Sequence, residues 1–191
     1  MFQIPCVIFA GGKSSRMGED KALLPFASYT TLTEYQHQRL SQLFQNVYIS
    51  TKNPKKFSFA AEFLVDNIKD NYSPLNGFLT LFEELQTESV FVISVDTPFI
   101  SDVEIQMLLQ ADRKENDATV AQTNNKVHPL CGVYHRSLYP RISKMFKEDR
   151  HKLTQLLNDV NTAYVSFEDE RVFLNLNRPH EYQEALKLLN S

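Results

Sequence analysis

The chain has 191 residues, of which 42% are hydrophobic and 23% charged, and its formal net charge is −3. The length favours one domain over residues 1–191, and the weak negative charge disfavours a nucleic-acid partner. No apolar stretch approaches the ~20 residues that span a bilayer, and no basic region precedes the first apolar run. Two cysteines are too few for a disulfide framework. We therefore expect a cytoplasmic protein that binds neither nucleic acid nor membranes.

The first predicted element is a buried strand, Val7–Ala10, which ends at the paired glycines Gly11 and Gly12. Glycines let backbone N–H groups approach a phosphate with no Cβ in the way, and successive N–H groups form an anion site. Arg16 and Lys21 follow in the same loop and add positive charge. This strand and loop therefore predict binding of nucleotide phosphates.

Two commoner phosphate loops do not fit this stretch. A P-loop has glycine five residues before its Gly-Lys-Ser, where this chain has Val7. The fingerprint of Rossmann NAD sites is Gly-x-Gly-x-x-Gly, and glycines at 11, 12 and 18 do not follow that spacing. A glycine turn with solvated charges and no ligand is the alternative at this point.

The rest of the chain alternates helices and strands. Helices are expected at 32–44, 74–85, 101–111, 137–148, 152–158 and 179–189, and strands at 47–50, 63–65, 90–95, 118–122, 130–134 and 162–167, with an extended piece at 172–175. The run Val90–Val95 is nearly all apolar, which is typical of a central parallel strand covered on both faces. The alternation predicts a three-layer α/β/α sandwich around a mostly parallel sheet.

Three separate positions follow predicted strands directly. These are the pair Gly11–Gly12, Asp66 and Asp96. Because open α/β sheets bind ligands at the carboxyl ends of their strands, we expect these residues to meet at one edge. A carboxylate at such an edge suits Mg²⁺, which prefers oxygen ligands and shares substrate phosphates. Asp96 is the predicted metal ligand, although aspartate is also an ordinary turn or cap residue.

The glycine loop is part of a longer motif, Phe9-Ala10-Gly11-Gly12-x-Ser14-x-Arg16-Met17-Gly18-x-Asp20-Lys21. This motif resembles the LAGGxSxRMGxDK signature of nucleotidyltransferases, most closely that of the molybdenum cofactor guanylyltransferases, with Phe for Leu at its first position. The resemblance implies a Rossmann-like nucleotidyltransferase fold, and an enzyme that transfers GMP from GTP to molybdopterin, or the molybdenum cofactor, with Mg²⁺ and releases pyrophosphate. It also implies, as partners, proteins that supply molybdopterin and molybdoenzymes that accept the finished cofactor.

The same resemblance implies roles for individual residues. It assigns catalysis to Arg16, Lys21 and Asp96; nucleotide binding to Phe9, Ala10, Gly11, Gly12, Lys21, Ser50, Asp66, Pro74, Leu75, Gly77 and Asp96; the metal to Asp96; and the pterin side to His128, Asn175 and Asn177. Besides Phe9, five positions depart from the family: Ser50 stands where it has Asn, Ser73 and Asn76 replace the first Gly and the Ala of its GPLAG segment, and Leu176 and Arg178 replace the Val and the Thr of its NVNTP segment. Taken alone, His128 is more typical of a structural histidine.

Other functions stay open at this stage. A cytidylyltransferase for the same pterin, or a transferase for a sugar or alcohol phosphate, would carry a similar loop. A non-catalytic GTP-binding module needs no placed metal, so the presence of both Lys21 and Asp96 argues against it. An adaptor protein with an incidental glycine loop is the third class.

Overall fold

A seven-stranded sheet forms the centre of the structure, a computed structural model that describes residues 1–12, 17–66, 73–124 and 126–189. The strands are β1 (Cys6–Phe9), β2 (Val47–Thr51), β3 (Glu62–Val65), β4 (Ser89–Ser94), β5 (Ala118–Thr123), β6 (Lys126–His135) and β7 (Thr162–Phe167). Their order is β3-β2-β1-β4-β6-β5-β7, and β6 runs antiparallel to both neighbours while the other pairs are parallel. The predicted mostly parallel sheet is confirmed.

Helices cover both faces of this sheet. They are α1 (Leu32–Leu40), α2 (Pro74–Glu84), α3 (Asp102–Ala111), α4 (Tyr139–Lys147), α5 (Leu153–Asn158) and α6 (Pro179–Leu189). Successive side chains of a strand point to opposite faces, so Ile8 of β1 packs in the core beneath α1, α3 and α6, whereas Val7 packs beneath α2, α4 and α5. The predicted three-layer sandwich is therefore confirmed.

Local sequence explains where the helices begin. The Ser101 hydroxyl accepts from the Val103 N–H and the Glu104 carboxylate accepts from the Ser101 N–H, so α3 opens on a capping box. Helix α2 begins with Pro74 at its first turn, and the Ser73 hydroxyl accepts a hydrogen bond from the Leu75 N–H. These caps fix the entry of α2 and α3 beside the sheet edge.

The structure differs from the predicted elements in four main places. Helix α1 ends at Leu40 instead of residue 44. Strand β6 begins at Lys126 instead of Leu130, because it continues along β5 past a register shift between Val120 and Ala121. The piece expected to be extended overlaps a 3₁₀ helix, Glu170–Phe173, whose N-cap is Asp169. Strand β4 is central, but it is parallel only to β1 and antiparallel to β6. Within the described ranges, no helix has both the length and the apolar character to cross a membrane.

Candidate functional site

The parallel strands β1 to β4 end at one edge of the sheet, where backbone hydrogen bonds hold the residues that follow β1, β3 and β4. The Ala10 N–H donates to the Ser50 carbonyl at 2.9 Å, and the Asp66 N–H donates to the Thr51 carbonyl at 3.0 Å. The Asp96 carbonyl accepts from a residue far along the chain, Leu176, at 2.9 Å. The edge thus brings together the residues that the sequence predicts to meet there.

Lys21 and Asp96 form the polar centre of this edge. The Lys21 ammonium is ion-paired with the Asp96 carboxylate and donates to Asn177 Oδ1 at 2.9 Å. The Ser94 hydroxyl donates to the second carboxylate oxygen of Asp96 at 2.5 Å. Only 7% of the Asp96 side chain is exposed. Three distant parts of the chain therefore supply a cation, a carboxylate and an amide oxygen to one small space.

A second lysine supports the turn that carries Lys21. Asp20 caps the 3₁₀ helix Lys21–Leu23, with one carboxylate oxygen accepting from the Ala22 N–H at 3.1 Å. Its other oxygen is 2.7 Å from Lys56 Nζ, which also lies 3.4 Å from the Ala10 carbonyl. Sequence reasoning missed Lys56, because a basic residue after a strand carries no motif of its own.

A large cavity of about 770 Å³ opens beside this centre. Among its lining residues are five predicted ones, namely Pro74, Asp96, His128, Asn175 and Asn177. The walls also carry charged residues that no motif indicated, namely Lys126, Lys152, Glu170 and Glu181. The predicted pterin-side residues are therefore neighbours in space, although they come from β6 and from the segment before α6.

A narrow cleft of about 20 Å³ lies on the other side of Pro74, which lines both spaces. It is bordered by the predicted residues Phe9, Gly11, Ser50, Asp66, Pro74 and Gly77. Lys52 Nζ stands 4.0 Å from the Asp66 carboxylate. The structure therefore gathers most of the predicted nucleotide residues, with a carboxylate and a hydroxyl exposed to one cleft.

Four predicted residues in the described part of the chain line neither space, and a fifth lies outside that part. One of the four is Lys21, which instead contacts Asp96 and Asn177. Ala10 and Leu75 are 2% and 0% exposed, so neither offers accessible surface to a ligand in this structure. Gly12 is exposed beyond the end of β1 but lines neither space. Arg16 lies outside the described residues.

Comparison with known proteins gives this edge a family context. The sequence profile described as the MobA-like NTP transferase domain matches residues 6–165, a range that includes the glycine loop, Lys21, Asp66 and Asp96. The chain belongs to this family.

Similar proteins agree with that assignment. The chain is 36% identical over 183 residues to a Campylobacter jejuni protein named molybdenum cofactor guanylyltransferase, with 95% of each covered. It is 37% identical over 191 residues to a Helicobacter pylori protein of the same name, covering 97% of this chain and 93% of the other. A crystal structure of molybdopterin-guanine dinucleotide biosynthesis protein A from Archaeoglobus fulgidus shares the fold, with a TM-score of 0.83 and 18% identity over 98% and 99% of the two chains.

Two glycines of the family's motifs, Gly77 and Gly12, have different surroundings. A Cβ built on Gly77 lies 2.5 Å from Phe9 Cε1 and 3.0 Å from Ser50 Oγ, so α2 packs too closely on the sheet for a side chain there. A Cβ built on Gly12 has no described atom within 4 Å. Protein packing therefore explains Gly77, whereas no described atom would obstruct a side chain at Gly12.

His128 lies in the wall of the large cavity, where two contacts fix its ring. A hydrogen bond of 2.8 Å joins its Nε2 to Thr123 Oγ1, and its ring stacks on Phe173 with 4.5 Å between centroids. Burial, and then the charge of Lys126, lowers the pKa of His128 to about 4. The imidazole that borders the cavity is therefore neutral at pH 7.

Proposed function

We propose that this protein transfers GMP from GTP to molybdopterin, forming the guanine dinucleotide cofactor and releasing pyrophosphate. The observation that carries the proposal is the meeting of Lys21, Asp96 and Asn177 between a cleft with nucleotide-type groups and a cavity of about 770 Å³. The two named relatives, at 36% and 37% identity, support the same substrates.

The cleft supplies the groups that we assign to the nucleotide. Asp66 is acceptor-only when ionised, which suits the adjacent N1–H and 2-amino donors of guanine; cytosine offers no such pair. The backbone N–H groups around Gly11 and Gly12 would face the phosphates. A purine is larger than a cleft of about 20 Å³, so GTP binding has to widen it.

The oxygen groups beside Lys21 fit a magnesium ion. Mg²⁺ binds through one or two carboxylates and completes its shell with water and substrate phosphates. Asp96 would supply the carboxylate, and Asn177 Oδ1, which also contacts Lys21, is a second oxygen. The described residues contain no cluster of three or more acidic, histidine or cysteine side chains. When bound, the ion would neutralise charge on the phosphates.

The transfer of GMP requires that the substrates are positioned and that negative charge is neutralised; it does not require a general base. The phosphate monoester of molybdopterin has a second pKa of about 6, as phosphoserine does, so it is ionised at pH 7. From the large cavity, one of its oxygens would bond to the α-phosphorus of GTP as the bond to pyrophosphate breaks. Lys21 would stabilise the charge that develops on the phosphoryl oxygens. Asn175 and His128 would line the pterin side. Proteins that supply molybdopterin and molybdoenzymes that accept the product are the partners we propose.

A parallel assay tests this function. The protein is incubated with molybdopterin and Mg²⁺, with either GTP or CTP, and both dinucleotide and pyrophosphate are measured. We expect equimolar products with GTP and at least tenfold less with CTP, because Asp66 is matched to guanine donors. A preference for CTP would assign the protein to cytidylyl transfer. GTP binding without pyrophosphate would indicate a non-catalytic module.

A further inference from the structure

A fully buried glutamine lies directly beneath the turn that carries Asp96. Gln36 belongs to α1 and is 0% exposed. Its Nε2 is 3.4 Å from the Ser94 and Val95 carbonyl oxygens and 3.2 Å from that of Thr97. These three carbonyls flank Asp96 on both sides, so one amide group contacts most of the backbone of this turn.

The convergence of these carbonyls follows from the end of β4. The strand stops at Ser94, and beyond it the chain turns instead of continuing the sheet ladder. Carbonyls that leave a ladder in the interior have to find donors, because a buried acceptor without one costs about 1–3 kcal/mol. A primary amide has two N–H groups, and Gln36 directs them at this single point. An apolar side chain of the same size would fill the space without donating.

Arg39 fixes the orientation of that amide. Its Nε and Nη2 donate to Gln36 Oε1 at 3.2 and 2.7 Å, and its Nη1 donates to the Ile100 carbonyl at 2.5 Å. The guanidinium has only donors, so the oxygen of Gln36 has to face Arg39 and its NH₂ has to face the turn. The pair therefore forms a brace with one allowed orientation.

The turn that contacts this brace is also hydrogen-bonded to the segment before α6. On the opposite side, the Asp96 carbonyl accepts from the Leu176 N–H, next to Asn177. We propose that Gln36 is a positioning residue for the transfer reaction: by holding the carbonyls around Asp96, it sets where the Asp96 carboxylate meets Lys21 and the metal. Arg39 acts through Gln36. This inference rests on the proposed function.

The test compares four variants with the unmodified full-length chain. Gln36→Met keeps the volume and removes both donors, and Arg39→Lys keeps the charge and removes the planar fork. Gln38→Met makes the same substitution at an exposed position of the same helix. Ile105→Val weakens the same core from α3, away from the turn. For each protein, kcat, KM for GTP, the melting temperature and the Mn²⁺ affinity in the presence of GTP are measured, the last by electron paramagnetic resonance.

A misplaced carboxylate should affect chemistry and metal binding before it affects nucleotide binding. For Gln36→Met we expect kcat to fall by at least about tenfold, with KM for GTP within about twofold, and Mn²⁺ affinity to fall by about fivefold or more. Arg39→Lys should change both in the same direction but less. Gln38→Met should match the unmodified protein, and Ile105→Val should lower the melting temperature alone.

Each result decides the question. If Gln36→Met and Ile105→Val have the same kcat and Mn²⁺ affinity, Gln36 is only a packing residue and the inference is wrong. If Gln36→Met does not fold, Arg39→Lys decides by the same two readouts. An unmodified protein with no turnover would contradict the proposed function alone, since Mn²⁺ binding with GTP still reports the position of Asp96.

Discussion

Asp96 is the residue on which the proposed chemistry depends most directly. Its contacts allow its charge to be removed by substitution while its shape is kept. Asparagine keeps the shape that accepts from Ser94 and removes the charge that pairs with Lys21. We expect Asp96→Asn to lower kcat by at least about 100-fold, because a metal ligand and its charge are lost together. The melting temperature should change little. Pyrophosphate release at saturating Mg²⁺ checks this, and turnover equal to that of the unmodified protein would exclude Asp96 as the metal ligand.

Lys21 gives a second prediction at the same scale. If its ammonium stabilises the transition state more than bound GTP, Lys21→Ala lowers kcat more than it raises KM. The loss should be about 2–4 kcal/mol of transition-state stabilisation. Lys21→Arg should rescue only in part, because the planar fork does not fit the space between Asp96 and Asn177. Steady-state kinetics of the three proteins decide: a change in KM alone would make Lys21 a uniform binding contact.

Sequence patterns identify some of the residues of this site and miss others. The spacing from the glycine loop identifies Lys21, and the position after an apolar strand identifies Asp96. Asn177, expected on the pterin side, also contacts Lys21, which a motif read along the chain does not indicate. Gln36 looks like one more polar residue of an amphipathic helix. Its role appears only when α1 packs under the end of β4, because hydrogen bonds between distant segments leave no local pattern.

At the scale of elements, we expect two glycines to respond differently to substitution. Gly77 lies where α2 packs on β1, and Gly12 lies in the loop that follows β1. Gly77→Ala should reduce the free energy of unfolding by about 1–3 kcal/mol, because the new methyl overlaps the Phe9 ring, which is itself packed on Phe78. Gly12→Val should leave stability nearly unchanged and weaken GTP binding by at least about tenfold, because its branched side chain occupies the space for phosphate.

Chemical denaturation and calorimetry with GTP separate the two effects. Each variant is the control for the other, because Gly77→Ala is expected to change the free energy of unfolding and Gly12→Val the affinity for GTP. Unchanged GTP affinity in Gly12→Val would contradict the loop as the phosphate site. An unchanged free energy of unfolding in Gly77→Ala would show that α2 can move away from β1 at little cost.

At the scale of the whole molecule, periodicity predicts the architecture better than it predicts the edges of the site. The apolar run Val90–Val95 and the capping box at Ser101 are strong local signals. The structure has the strand at Ser89–Ser94 and the capping box as predicted. The start of β6 depends on pairing with β5 across a register shift, which single-strand patterns do not contain. That shift places His128 in a strand at the cavity wall, so part of the site follows from sheet pairing and not from a motif.

The stability of the whole chain should depend on pH through this same His128. Its pKa is about 4 in the folded state against an ordinary value of 6.5, so between these values the unfolded chain binds more protons than the folded one. Free energy of unfolding is therefore unaffected by His128 above pH 6.5 and falls as the pH drops toward 4. The loss is at most about 3 kcal/mol, and smaller because the ring borders the cavity.

His128→Gln isolates this contribution because glutamine does not titrate in the window. His37, whose pKa burial also lowers, and the carboxylates are present in both proteins, so their contributions cancel in the difference. Lys126 and Glu170, which act on His128 in opposite directions, are likewise unchanged. Urea denaturation of both proteins from pH 7.5 to 4 should show the unmodified chain losing stability relative to the variant only below pH 6.5. A difference that is constant across this range would mean that His128 is protonated as readily in the folded protein as in the unfolded chain.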